Sequence, residues 1–221
     1  MEVHTAQIGR ELQPVLIIDD AAPAADALKQ QAVSQCVELF ENGLYPGLRA
    51  RTMDMYNGFL IDIINKAIVL TGCDLPAISQ GESYFSMVTK SPGELLPMQR
   101  VPHFDQPKPD EIAVVHYLCG PEHGGTAFYR HRRTGFEYID ESRQREYLPA
   151  LNQDLQRHPP AQDYIHSSTP LFERIYSVNA RFNRLIAYRC SSLHSGDIRA
   201  GFRPVMDPFQ GRFTATAFLR P

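Results

Sequence analysis

The spacing of apolar residues along the chain changes near Ser83. Before this point, the apolar run from Val15 to Asp19 predicts a strand, and residues 24–40 and 53–70 repeat apolar positions at helical spacing. Residues 42–47, between these helices, contain Gly and Pro and are typical of a loop. The first part of the chain is therefore predicted to contain both helix and strand.

After Ser83, short β-rich runs alternate with turn residues. These runs are residues 84–89, 111–119, 126–129, 172–178, 184–189 and 212–219. Several short strands at such spacing are typical of a sandwich or barrel. We therefore predict a mainly β fold with bracing helices (α+β). It forms a single domain over residues 1–221, with an N-terminal strand and helices in 1–80 and a β core in 83–219.

A polar segment, residues 130–162, interrupts the β rhythm and is partly helical in pattern. Long connections in compact domains are usually functional or mobile, so this insertion is a candidate lid. It begins with a basic cluster, Arg130, His131, Arg132 and Arg133. Such a cluster is typical of a solvated charged turn, and attraction of an acidic substrate group is the alternative.

Composition excludes several function classes. The 221 residues are 43% hydrophobic, which suffices for a core, and the net charge of -3 argues against a nucleic-acid or membrane-surface partner. No apolar run is long enough to span a membrane, and the polar N-terminus is unlike a signal peptide, so a cytoplasmic location is expected. The cysteines, Cys36, Cys73, Cys119 and Cys190, form no CxxC pair and are expected to be reduced thiols.

Three residues are candidate metal ligands. His103 and Asp105 lie two apart in VPHFDQ, a spacing that turns both side chains to one face of a strand. His194 follows the strand-like run NRLIAYR. Two imidazoles and one carboxylate form the facial triad of non-haem iron(II) oxygenases, although zinc accepts the same ligands. The alternative for the HxD pair is a surface turn.

The remaining histidines are weaker candidates. His116 lies inside the strand EIAVVHYLC beside Tyr117, so the two side chains are predicted to point to opposite faces. The others occupy polar stretches and are predicted to be solvated; they are His4, His123, His131, His158 and His166.

At these residues the chain resembles the 2-oxoglutarate and iron(II)-dependent oxygenase superfamily, most closely its prolyl-hydroxylase-like branch. The resemblance rests on VPHFD, VVHYLCGPEHGGTAFYRH, NRLIAYRCSSLHSG and GRFTATAFL, in that order along the chain. It covers residues 83–219 apart from the insertion. It implies a double-stranded β-helix, or jelly roll, and an enzyme that uses Fe(II), 2-oxoglutarate and oxygen to hydroxylate a small molecule, amino acid or peptide.

The far carboxylate of 2-oxoglutarate needs a fixed cation. In RFTATAFL, period-2 geometry places Arg212, Thr214 and Thr216 on one face, where an arginine and a hydroxyl are able to hold one carboxylate. The resemblance also implicates Arg212, but its distance from His194 is longer than in many relatives, so Arg203 is the second choice. The resemblance further implies that Tyr117 hydrogen-bonds this carboxylate, with an ordinary core aromatic as the alternative.

Two other functions compete with the oxygenase. A cupin-type jelly roll that binds zinc or nickel without oxygenase activity would keep His103, Asp105 and His194 but would not need Arg212 or Tyr117. The other alternative is an interaction domain in which the three ligands are coincidental. The segments GGTAFYR and RFTATAFL argue against both.

Overall fold

The structure, a computed structural model, describes residues 1–34, 40–41 and 44–221. Its helices are α1 (Ala25–Ser34), α2 (Asp54–Thr71) and α3 (Glu141–Arg157). Its strands are β1 (Glu2–Ile8), β2 (Gln13–Asp19), β3 (Phe40–Glu41), β4 (Gly47–Arg51), β5 (Gln80–Val88), β6 (Ile112–Tyr117), β7 (Gly125–His131), β8 (Phe172–Asn179), β9 (Arg184–Arg189), β10 (His194–Asp197) and β11 (Phe213–Arg220). The prediction of a mainly β, α+β fold is confirmed.

The described strands form two antiparallel sheets. The large sheet has the order β1-β2-β9-β6-β11-β5-β4-β3, and the small sheet has the order β10-β7-β8. Every strand pair is antiparallel, including β11 with both β5 and β6. The central strands of the large sheet are therefore far apart in sequence, so the sheet joins the two ends of the chain.

Alternation along the strands divides the protein into layers. In β11, Ala215 and Ala217 belong to the apolar cluster that packs against Leu60 and Ile64 of α2, so this side is the outer face of the large sheet. In β7, Phe128 packs against the inner face of the large sheet, whereas its neighbours turn to the other side. A third cluster joins the outer face of the small sheet to α3. The two sheets therefore face each other, with α2 on the outer face of the large sheet and α3 on the outer face of the small sheet.

Most strands match the predicted runs, but the short peripheral strands do not. β1, β4 and β10 have no counterpart in the predictions, because each is polar or too short to show an alternating pattern. The second predicted helix is confirmed by α2. The first is seen as α1, but it was predicted to reach Phe40, which lies in β3. Residues 35–39, including Cys36, and residues 42–43 of the predicted loop lie outside the described residues.

The insertion packs as part of the core. Asp140 accepts hydrogen bonds from the backbone N–H groups of Ser142 and Arg143 and so caps the start of α3. Tyr147 and Leu151 of α3 are 1% and 2% exposed and pack against the small sheet. The structure therefore does not support the lid interpretation of residues 130–162, since the amphipathic helix seals the outer face of a sheet.

The basic cluster that opens the insertion is divided: Arg132 and Arg133 are exposed in a turn, but Arg130 and His131 are buried. Arg130 is buried and forms ion pairs with Glu137 and, at 2.7 Å, with Glu173. His131 is fully buried and its Nε2 lies 3.2 Å from Asp154 of α3. The prediction of a solvated turn was wrong for Arg130 and His131, because acidic partners allow their burial, and it is confirmed for Arg132 and Arg133.

The three described cysteines, Cys73, Cys119 and Cys190, are free. Over the part of the chain that the structure describes, none of the helices has the length and apolar character needed to span a membrane. That residues 1–221 form a single domain stays a prediction.

Candidate metal centre

The three predicted metal ligands come together between the sheets. His103 forms an isolated antiparallel bridge with His194, with reciprocal backbone hydrogen bonds of 2.9 and 2.8 Å. Two residues further on, the backbone N–H of Asp105 donates to the carbonyl of Cys190 at 2.8 Å. The segment of the HxD pair is therefore held against residues 190–194 by backbone hydrogen bonds, although it bends at Asp105 and lies outside the regular strands.

The ligand atoms of these residues converge on one point. Asp105 Oδ1 lies 3.7 Å from His103 Nε2, and Asp105 Oδ2 lies 3.5 Å from His194 Nε2. Together with the remaining pair, the ligand atoms lie within 4.8 Å of one another. Ligands at right angles around one ion, each about 2.1 Å from it, are about 3 Å apart, so a small inward rotation of the side chains completes the site.

One histidine is oriented for metal binding by the backbone. Nδ1 of His194 lies 2.9 Å from the carbonyl oxygen of Ser192, to which it donates its proton. This hydrogen bond fixes the tautomer and leaves the lone pair of Nε2 facing Asp105. For His103, burial and the neighbouring His194 lower the pKa to about 4, so the imidazole is neutral and available as a ligand at neutral pH.

A second acidic cluster is not arranged in this way. Glu2, His4 and Asp19 also approach one another, but Asp19 pairs with Arg184 at 2.6 Å and with Arg181 at 3.0 Å. These ion pairs already neutralise its carboxylate. The cluster is therefore explained by charge pairing at the edge of the large sheet.

Arg212 and Thr214 line the same cavity as the three candidate ligands. Arg212 is 5% exposed, and its guanidinium donates to the carbonyls of His123 at 2.6 Å and Gly125 at 2.7 Å. Gly124 makes this arrangement possible, because its φ is +96° and a Cβ there would lie 1.9 Å from the carbonyl oxygen of Asp197. Arg212, Thr214 and Thr216, which were predicted to share one face, all line the cavity.

The two other residues predicted to contact the cosubstrate, Arg203 and Tyr117, do not line the cavity. Arg203 is exposed and is not among the residues that line the cavity. Tyr117 is fully buried between the sheets, and its hydroxyl lies 2.6 Å from that of Thr126, which does line the cavity. Any contact of Tyr117 with a ligand would therefore pass through Thr126.

Tyr45, Arg49 and Tyr188 are among the cavity residues that the sequence analysis missed. Tyr45 lies in the cavity with Thr214, and burial raises the pKa of its hydroxyl to about 12. The ring of Tyr188 packs edge-on to His194, with ring centroids 4.8 Å apart. Tyr45 and Arg49 lie in and beside the predicted loop of residues 42–47, where no periodic pattern marked them, and Tyr188 resembled any other strand aromatic.

His116 has a structural role. Its Nδ1 lies 2.7 Å from the hydroxyl of Tyr56 in α2, and its Nε2 lies 3.0 Å from Asn183 Oδ1. Tyr117 points to the opposite face, as predicted. Of the histidines predicted to be solvated, His4 and His158 are exposed, His123 and His166 are half-buried, and His131 is the one whose prediction was wrong.

Solved structures share this fold. HygX from Streptomyces hygroscopicus, with nickel, 2-oxoglutarate and hygromycin B bound, matches with a TM-score of 0.50 and 13% identity, covering 94% of this chain and 82% of HygX. A prolyl-4-hydroxylase from Pseudomonas putida matches at 13% identity with a TM-score of 0.46, covering 93% of this chain and 91% of that one. The resemblance to 2-oxoglutarate and iron-dependent oxygenases is thus confirmed at the level of the fold.

The sequence family is also established. The model of DUF6445, described as a family of unknown function, matches residues 1–219, and the chain belongs to this family. A comparison with curated proteins finds no match.

Proposed function

We propose that the protein is a non-haem iron(II) and 2-oxoglutarate-dependent dioxygenase that hydroxylates a small molecule, amino acid or peptide. Its two facing sheets would form a double-stranded β-helix, or jelly roll. The observation that carries the proposal is the convergence of His103, Asp105 and His194 in a cavity that also contains Arg212 and Thr214. A likeness in fold to HygX, which was solved with nickel and 2-oxoglutarate, supports it.

His103, Asp105 and His194 would hold the iron. Bound there, Fe(II) with 2-oxoglutarate and oxygen supplies the oxidising power for hydroxylation. The carboxylate of Asp105 lies between the two imidazoles and would offset part of the charge of the metal. The edge-on ring of Tyr188 and the backbone contact of Ser192 restrain His194, so the ligand that comes last in the chain is held in place before the metal binds.

Arg212 and Thr214 would hold the far carboxylate of 2-oxoglutarate. The guanidinium is already oriented by the carbonyls of His123 and Gly125, and such orientation lowers the entropy lost on binding. The cavity wall around Arg212 is largely closed to solvent, and a charge-assisted hydrogen bond gains strength in such surroundings. Tyr117 would act indirectly, by fixing the hydroxyl of Thr126.

The proposal is tested by anaerobic titration of the protein with iron(II) and 2-oxoglutarate. We expect a weak visible charge-transfer band from chelation of the cosubstrate, and its loss in the double variant His103→Ala, Asp105→Ala. Second-layer partners of metal ligands are worth about 10- to 100-fold in affinity, so removal of two ligands should weaken metal binding by more than about 100-fold. His4→Ala, in the other acidic cluster, is the matched control and should leave the band intact.

Persistence of the band in the double variant would refute the assignment of the ligands. Tight metal binding by the wild type, with no band and no affinity for 2-oxoglutarate, would instead favour the cupin-type metal-binding protein. Metal affinity is therefore measured separately by calorimetry, with nickel as a redox-inactive probe.

A further inference from the structure

A second arginine lies in the same cavity as the candidate metal ligands. Arg49 belongs to β4, on the side of the large sheet that faces the small sheet, and it lines the cavity with His103 and Asp105. Its guanidinium lies over the ring of Tyr45, 4.4 Å from the centroid, and within 5.8 Å of the rings of Tyr84 and Phe218. Aromatic rings thus hold the cation without neutralising its charge.

Arg49 has no anionic partner among the residues that the structure describes. Its Nε is buried and lacks a hydrogen-bond partner in that part of the chain. Arg51, two residues along the same strand, pairs with Glu82 at 3.3 Å. Burying a donor of a charged group without a partner is costly, so its persistence beside a cavity indicates that a ligand supplies the missing acceptor.

The two cavity arginines differ in their hydrogen-bonding partners. Arg212 donates to two backbone carbonyls, whereas Nε of Arg49 has no partner among the described residues. Arg49 pairs with Ser86, which pairs with Thr214 in the large sheet, so Arg49 lies level with Thr214. Since Arg212 and Thr214 are assigned to the far carboxylate of 2-oxoglutarate, Arg49 remains for a second anionic group in the same cavity.

We propose that Arg49 binds a carboxylate of the primary substrate, so that the enzyme acts on a small acidic molecule. The proposal rests on the proposed oxygenase function, because that function makes the metal end of the cavity the place where the substrate reacts. The guanidinium would hold the carboxylate through paired hydrogen bonds and fix the distance of the rest of the substrate from the metal.

The rest of the cavity wall agrees with this substrate class. Asp105 is the one carboxylate among the cavity-lining residues that the structure describes, and it would be committed to the metal. Leu44 and Met98 add apolar surface to the wall. A substrate with a carboxylate and an apolar body therefore matches the lining, whereas a cationic substrate would find no free acidic partner there.

The test uses two fluorinated probes of the same shape, 4-fluorobenzoate and 4-fluorobenzamide. Each is titrated into the protein loaded with nickel and excess 2-oxoglutarate, and binding is followed by 19F line broadening. We expect the wild type to bind the carboxylate about tenfold more tightly than the amide, since a hydrogen bond to a charged group is worth about that factor. Arg49→Gln should abolish this preference, and Arg49→Lys should retain part of it.

Arg51→Gln is the matched control, because it removes a positive charge from the same strand beside a different partner, and it should preserve the preference. Failure of the wild type to bind 4-fluorobenzoate, or equal binding by Arg49→Gln, would overturn the proposal. So would a loss of 2-oxoglutarate affinity in Arg49→Gln with unchanged binding of the probe, which would make Arg49 a cosubstrate residue. If Arg49→Gln does not fold, as judged by its thermal melt, Arg49→Lys decides.

The same titration is repeated on metal-free protein with excess 2-oxoglutarate. Arg49-dependent binding of 4-fluorobenzoate to a wild type that fails to bind nickel and 2-oxoglutarate would support the anion site while refuting the oxygenase function. Nickel and 2-oxoglutarate binding without any preference for the charged probe would refute the anion site alone.

Discussion

Buried polar groups on the outer faces of the two sheets differ in their hydrogen-bond partners from those in the space between the sheets. On the outer face of the large sheet, both ring nitrogens of His116 have partners, at 2.7 and 3.0 Å. On the outer face of the small sheet, His131 contacts Thr134 at 3.0 Å and Asp154 at 3.2 Å. Between the sheets, Arg49 has an unpaired donor, and two histidines present Nε2 to a shared carboxylate.

The difference separates structural polar groups from those that await a ligand. Helices α2 and α3 close the outer faces, so most polar groups there pair within the chain, although the hydroxyl of Tyr147 lacks a hydrogen-bond partner among the described residues. No helix packs between the sheets in the described part of the chain, and the polar groups there converge on a cavity. Neither burial nor an unpaired polar atom marks a functional residue by itself. Arg49 stands out among the described residues because its unpaired donor belongs to a side chain that lines the cavity of the candidate metal ligands.

The largest expected effect tests whether α3 is part of a sealed face or a mobile cover. Leu151 is 2% exposed and packs against the small sheet, so Leu151→Ala should lower the free energy of unfolding by about 3 kcal/mol. Urea denaturation measures this loss. Leu148 on the same helix is 43% exposed, and Leu148→Ala should change stability by less than about 0.5 kcal/mol. A stable Leu151→Ala variant with altered ligand affinity would restore the lid interpretation.

The second effect concerns the cavity. Arg212→Met should weaken 2-oxoglutarate binding by about 30-fold, near 2 kcal/mol, because a charge-assisted hydrogen bond is lost. Calorimetry on nickel-loaded protein measures the affinity, and nickel binding itself should be retained. Arg203 is exposed, and Arg203→Met is the control. Should Arg203→Met be the variant that loses affinity, the carboxylate anchor would lie in the connection before β11.

The smallest expected effect is a loss of stability in acid, which tests whether His116 is buried and neutral on the outer face of the large sheet. Burial lowers the pKa of His116 to about 4, against 6.5 for the ordinary imidazole. The unfolded chain therefore takes up a proton first, and stability is lost as the pH falls from about 6.5 towards 4. Between pH 7 and 5 this amounts to about 1 to 2 kcal/mol.

Thermal melts over this pH range compare the wild type with His116→Gln. Burial also lowers the pKa of His131 and His123, so both proteins should lose stability in acid, but the variant should lose less. Parallel curves for the two proteins would contradict a buried neutral His116.

The sequence by itself determined the features that depend on local periodicity. In β11 and β6, side chains alternate between the two faces of a strand, so the shared face of Arg212 and Thr214, and the opposite directions of His116 and Tyr117, follow from counting residues. The order of the motifs also indicated the fold. The HxD spacing indicated two metal ligands, His103 and Asp105. The third, His194, lies 91 positions after His103 and was chosen by residue type.

Tertiary structure alone decided which distant groups meet. The bridge between His103 and His194 brings the candidate metal ligands together. Acidic residues elsewhere in the chain allow the burial of Arg130 and His131, which look solvated in the sequence. Arg49 lies in the cavity because β4 pairs with β5, next to β11 in the large sheet. Burial and charge neutralisation depend on contacts between segments remote along the chain, and no pattern within one segment records its partner.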